Sequence, residues 1–187
     1  MNAWVPNMIR RGNDRRCSKL ATIALVAAAF TLGVVEPARA GALSDALAAY
    51  ARGDYIAAAK RLTRLAAAGN ARAQGLLGFL YEYGYGVPQD YVIAVMWYER
   101  GAEQGDPAAQ YGLGLMYDKG KGLLPDAVLA HKWLILAAAG AGRRERDAYI
   151  RIRDAVATKM SHAQIALAQG LANEWTATRE RRCAAAC

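Results

Sequence analysis

Ten residue identities in this chain recur 36 positions downstream. Ala73, Gln74, Leu77, Gly78, Tyr81, Gly84, Gly86, Asp90, Ala94 and Trp97 return as Ala109, Gln110, Leu113, Gly114, Tyr117, Gly120, Gly122, Asp126, Ala130 and Trp133. A fixed period of this length marks a stacked-repeat architecture, in which each unit is one supersecondary element that buries its apolar face against its neighbours. The expected fold is all-α, a superhelical α/α solenoid of stacked helix pairs. Such stacks mostly bind other molecules, so the repeat points to recognition and leaves the partner unnamed.

Each unit reads as helix, loop, helix. Asn70 is placed to cap a helix over about 71–83 whose apolar positions Ala73, Leu77, Leu80 and Tyr81 follow helical spacing. GYGVPQD (84–90) breaks it: Gly84 and Gly86 can adopt positive φ, Pro88 cannot continue the helix, and Asp90 can cap the next one over about 90–104. Asp106-Pro107 caps and starts the following helix, and GKGLLPD (120–126) repeats the loop. Gly78 and Gly114 fall inside helices, where glycine costs about 1 kcal/mol relative to alanine. Their recurrence predicts close helix approach, with Ala94 and Ala130 assisting and Trp97 and Trp133 filling the space between units.

The repeat frame divides the chain. Residues 1–40 read as a cleaved signal peptide: Arg10, Arg11, Arg15, Arg16 and Lys19 precede the apolar run ATIALVAAAFTLGVV (21–35), and Ala38-Arg39-Ala40 supplies the small residues of a cleavage site after Ala40. The run is shorter than the roughly 20 residues a membrane span needs, and Cys17 precedes it, where a lipid-attachment cysteine would follow it. The expected location is therefore periplasmic or secreted. Residues 41–69 read as a degenerate N-terminal helix pair, with Asp54, Tyr55 and Ala58 matching Asp90, Tyr91 and Ala94, and Arg61 standing where the tryptophan would be. Two full repeats occupy 70–105 and 106–141. Residues 142–182 read as C-terminal capping helices, the second opened by the capping-box spacing of Ser161 and Gln164, and 183–187 as a tail. Cys183 and Cys187 can bridge each other, pair with another chain or stay reduced; neither can staple the repeats.

Charge narrows the partners. The formal net charge is +8, yet residues 41–142 carry nine acidic and nine basic side chains, so outside the leader the excess lies entirely in 143–187. That distribution argues against a nucleic-acid partner, whose contacts would need basic groups along the binding surface. A weak contact of the C-terminal helices with an anionic lipid or polysaccharide surface is the alternative reading. No nucleophile with a base, paired carboxylate, phosphate loop or metal cluster is legible. Catalytic, cofactor and metal residues are therefore none, and the chain does not read as an enzyme. His131, beside Trp133, reads as a structural residue and His162 as an exposed one; Asp90 and Asp126 read as caps.

At these residues the pattern resembles a known family. AQxxLGxxYxxGxGVPQDYxxAxxWYxxxAEQG (73–105) closely resembles the Sel-one-like repeat, a relative of the tetratricopeptide repeat, and 109–139 matches with a degraded loop. The resemblance implies an α/α superhelix and, for exported bacterial members, adaptor or regulatory roles in the cell envelope. Some cysteine-rich relatives are reported as β-lactamases or penicillin binders, but those carry a cysteine pair in each repeat and residues 73–140 contain no cysteine. That departure weakens the enzymatic reading, and a β-lactam or cell-wall hydrolase stands only as the last alternative. In helical solenoids the first helix of each pair lines the concave face. Its non-core positions here are Arg72, Leu76, Phe79 and Tyr83, continued by Leu115 and Lys119, and these six are the expected partner-binding residues for a protein segment carrying an acidic group. Leu76 and Phe79 can equally pack against the adjacent helix pair.

Overall fold

In the computed structural model the described residues are 36–185, with side chains from residue 41 onward; residues 1–35 of the leader expected over 1–40, and Cys187, lie outside them. Eight helices make up the described chain: α1 Glu36–Ala51, α2 Tyr55–Ala67, α3 Ala71–Tyr83, α4 Tyr91–Glu103, α5 Pro107–Lys119, α6 Ala127–Gly140, α7 Arg143–Ala157 and α8 His162–Ala185. From α1 to α7 each helix packs on the next, and α3 also packs on α5, the first helix of one repeat on the first helix of the next. Through Trp175 the described residues form one compact unit. The described part of α1, from Glu36, runs across the expected cleavage point after Ala40.

The boundaries follow from caps. Asp54, Asn70, Asp90, Asp106 and Asp126 each accept a hydrogen bond from a backbone N–H two or three residues on, at 2.8–3.1 Å. Each thereby satisfies a donor that the first turn leaves unpaired. α3 and α5 end on Gly84 and Gly120, at φ +73° and +63°. The loop geometry repeats bond for bond: Asp90 N–H donates to the Tyr81 carbonyl at 3.0 Å and Asp126 N–H to the Tyr117 carbonyl at 3.1 Å. Ser161 and Gln164 form the reciprocal capping box, Gln164 N–H donating to Ser161 Oγ and Ser161 N–H to Gln164 Oε1.

Stacking rests on glycine and small residues. A Cβ on Gly86 would fall on the backbone carbonyl of Tyr55, and one on Gly122 on that of Tyr91. Each inter-helix loop therefore lies directly on the first turn of the preceding unit's second helix. Inside the helices, a Cβ on Gly78 would stand 2.8 Å from the Tyr98 ring and one on Gly114 2.9 Å from Leu134. Ala94 and Ala130 are fully buried beside them. The core comprises Leu62, Leu77, Leu80, Leu113, Met116 and Leu134, all at most 2% exposed, each worth about 1.5–3 kcal/mol of burial. Two recurring glutamines, whose role the sequence leaves open, close the helix ends: Gln74 Nε2 donates to the Ala66 carbonyl and Gln110 Nε2 to the Ala102 carbonyl, at 3.0 and 3.2 Å.

The two tryptophans part company. Trp133 is buried and meets Trp175 of α8 edge-on at 6.2 Å, whereas Trp97 is half-buried with the Arg100 guanidinium 4.8 Å over its ring. Trp97 still packs on the core built by α1, α2 and α3, as expected of it, but is less completely covered than Trp133. Tyr98 joins the packing between units, because Gly78 on α3 and Gly112 on α5 leave a slot that its ring occupies.

Candidate functional site

α3, α5 and α7 enclose a groove of about 260 Å³. Its walls are Leu76, Phe79 and Tyr83 from α3, Tyr111 and Leu115 from α5, and Tyr149 from α7. The groove exists where the repeats depart from one another. Gly75-Leu76 in the first repeat corresponds to Tyr111-Gly112 in the second, so bulk and space alternate between facing helices. Gly112 opens the floor onto the Tyr98 ring, and Tyr111 stacks on Tyr149 at 4.2 Å between centroids and 12° between planes.

The upper rim continues into an aromatic cluster. Phe79 lies 4.6 Å from Tyr83 between ring centroids, Tyr83 stacks on Tyr85 at 5.9 Å, and Tyr85 stacks on Tyr55 at 4.8 Å. Tyr83 is 48% exposed, a large aromatic surface held toward solvent by its neighbours. Burial raises the pKa of Tyr83, Tyr111 and Tyr149 from the ordinary phenol value, and nearby carboxylates raise it further, Glu82 at the first two and Glu145 at the third. All three hydroxyls remain protonated at neutral pH and can donate.

Glu82 lies in the floor, 3% exposed. Its Oε2 accepts from the Tyr98 hydroxyl at 3.0 Å, and its Oε1 stands 3.9 Å from Lys121 Nζ. The Tyr98 phenol is pushed far above its usual range, first by burial and then by Glu82.

The six expected binding residues divide. Leu76, Phe79, Tyr83 and Leu115 come together in the groove. Leu76 and Phe79 also pack on the core formed by α1, α2 and α3, as the packing reading of these two residues expects. Arg72 is exposed and lines the adjoining pocket of about 330 Å³ with Asp106, Pro107 and Glu145; that pocket shares Ala108 and Tyr149 with the groove. Lys119 is not among the groove residues. It occupies the last turn of α5, where a cation complements the helix dipole. Tyr111, Tyr149 and Glu82 are the residues the sequence reading missed. Tyr149 lies outside the repeats, where no periodicity marks it, and a carboxylate within a helix ordinarily reads as solvated surface.

Elsewhere, His131 is 4% exposed and its Nδ1 has no hydrogen-bond partner, while His162 is exposed. Among the described residues no group of His, Cys, Asp and Glu is arranged to hold a metal ion, and no helix is long and apolar enough to cross a membrane. The charges of α7 are partly used locally: Arg146 donates to the Ala141 carbonyl and Arg153 pairs with Asp154 at 2.7 Å.

Residues 71–106 and 107–141 match the Sel1 repeat family, so the two copies of the 36-residue frame are Sel1 repeats. No curated protein sequence matches the chain. Among solved structures the chain is similar to a protective antigen present in uropathogenic Escherichia coli strains, which displays an SLR fold. The identity is 26% and the TM-score 0.66, over 73% of this chain and 29% of that one. It is also similar to a Sel1 repeat protein from Oxalobacter formigenes, at 37% identity and a TM-score of 0.49, over 52% of this chain and 39% of that one. This chain thus spans well under half the length of either. The fold is that of a Sel1-repeat solenoid, generally a protein–protein interaction module.

Proposed function

We propose that this Sel1-repeat chain is an exported, non-catalytic adaptor that binds a segment of a cell-envelope protein in the groove between α3, α5 and α7. One observation carries the reading: apolar and aromatic side chains from two repeats and the C-terminal cap converge on one groove, with Tyr83 exposed at its rim. A buried aromatic anchor set with a polar rim is the anatomy of a protein-recognition hot spot. The volume lies below the ~300–1,000 Å³ of sites that engulf a drug-sized ligand. It suits one or two side chains of an extended segment rather than a free metabolite.

Export rests on the basic, apolar and small-residue order of residues 1–40. The likeness to a protective antigen is in keeping with that placement. Local use of the α7 charges favours the protein-binding reading over attachment of the C-terminal helices to an anionic surface.

A photo-crosslinker placed at Tyr83, and separately at the outer position Arg100, tests the proposal in the source cell envelope. Capture of one discrete protein from Tyr83 and not from Arg100 is expected. Equal capture from both positions, or salt-sensitive capture that vanishes when 143–187 is removed, would overturn it in favour of the C-terminal surface.

A further inference from the structure

The floor of the groove holds a carboxylate whose hydrogen bonding is incomplete. An ionised carboxylate offers about four acceptor sites, and Glu82 has one short partner, the Tyr98 hydroxyl at 3.0 Å. Lys121 Nζ, at 3.9 Å, is beyond hydrogen-bond distance and sits 4.9 Å over the Tyr91 ring. The second repeat provides an internal comparison. Its equivalent residue, Asp118, is held by Lys159 of the loop after α7 at 2.9 Å. At one repeat position the carboxylate is closed by a lysine of the chain itself, and at the other it is left facing the groove.

We infer that the groove recognises a cationic side chain, arginine or lysine, of the bound segment, with Glu82 accepting its N–H groups and the faces of Phe79, Tyr83 and Tyr111 surrounding its stem. The inference rests on the groove being a peptide site. Aromatic walls around a buried carboxylate are the chemistry that holds a desolvated cation: the rings attract it through their quadrupoles and the carboxylate completes its hydrogen bonds. A carboxylate-bearing segment, the partner expected from Arg72 and Lys119, would meet Glu82 as a like charge. The field of Glu82 reaches the site, since it adds to the elevation of the Tyr83 and Tyr111 phenols. Lys121 competes with the incoming cation and sets a ceiling on its affinity.

The test titrates the ¹⁵N-labelled full chain with synthetic nonapeptides of one apolar, aromatic-flanked sequence that differ only at the central residue: arginine, lysine, citrulline or glutamate. Amide shifts of Gly75, Gly112 and Leu115 report groove occupancy. The arginine and lysine peptides should bind at least about tenfold tighter than citrulline, as expected for a hydrogen bond to a charged group. The glutamate peptide should bind weakest. Lys121→Met should tighten binding of the arginine peptide severalfold, and Glu82→Gln should erase the preference for arginine over citrulline. If Glu82→Gln does not fold, the peptide series and Lys121→Met decide alone. Equal groove binding by arginine and citrulline peptides would overturn the cation inference and leave the peptide groove standing. Absence of groove shifts with every peptide would overturn both.

Discussion

Replacing Gly86 by alanine imposes two separate penalties, and Gly84 two residues earlier isolates one of them. Both glycines have left-handed backbones, at φ +71° and +73°. That conformation disfavours a non-glycine residue by about 1–2 kcal/mol, and alanine recovers about 0.4–1 kcal/mol by restricting the unfolded chain. At Gly84 the new Cβ would meet Gln89 Cβ at 3.3 Å, in a loop side chain that can shift. Gly84→Ala should therefore destabilise by about 1 kcal/mol. At Gly86 the Cβ would fall on the Tyr55 carbonyl and within 2.7 Å of Ile56 N, backbone atoms of the first turn of α2 that cannot move alone. Overpacking of this kind adds about 1–3 kcal/mol, for a total of about 2–4 kcal/mol. Urea unfolding of the parent and both variants measures the difference, as a fall in midpoint at unchanged m-value. Equal midpoints for Gly84→Ala and Gly86→Ala would refute the claim that the loop glycine exists to let one unit touch the next.

The remaining predictions concern the core and its titration. Trp133→Ala should destabilise by about 3–5 kcal/mol and half-buried Trp97→Ala by no more than about half of that, in proportion to the area buried; urea midpoints in the reverse order would contradict the unequal burial of the two rings. Tyr98→Phe deprives Glu82 of its one short donor and should lower stability by about 1–3 kcal/mol, whereas a neutral result in the same melts would mean that the pair is idle. His131 is held below its ordinary pKa of 6.5, chiefly by burial, so the unfolded chain takes up a proton at a pH where the native one does not. The stability it supports is complete above about pH 6.5 and declines as the pH falls below that value. His131→Gln should lose less stability than the parent between about pH 7.5 and about pH 5.5, and parallel losses in urea midpoint would discount the histidine.

Much of the frame was legible because repetition separates signal from local accident. The Asp90 and Asp126 caps, the positive-φ glycines and the helix-internal Gly78 and Gly114 each occur twice at one offset, and each meets the equivalent position of its repeat both times. Trp97 and Trp133 misled for the same reason: identity in the repeat implied equal burial. Both pack on a core cluster, but Trp133 gains Trp175 of α8 as a cover, while the cover over Trp97 is the Arg100 guanidinium. The groove was half legible. Helical spacing on α3 found Leu76, Phe79 and Tyr83, but Tyr111 and Gly112 matter because they break the repeat, and a search for sameness passes over them. Tyr149 reaches the groove through the packing of α7, a tertiary fact without a local pattern.

The central claim is that the partner occupies the groove between α3, α5 and α7. Ala108 is exposed and lines that groove, so Ala108→Trp fills it without disturbing the core. The decisive measurement is the affinity of the partner captured at Tyr83 for Ala108→Trp, beside Arg100→Trp as a control of equal bulk on the outer face. The account predicts that binding is lost in the first and retained in the second. Full-strength binding by Ala108→Trp would contradict it.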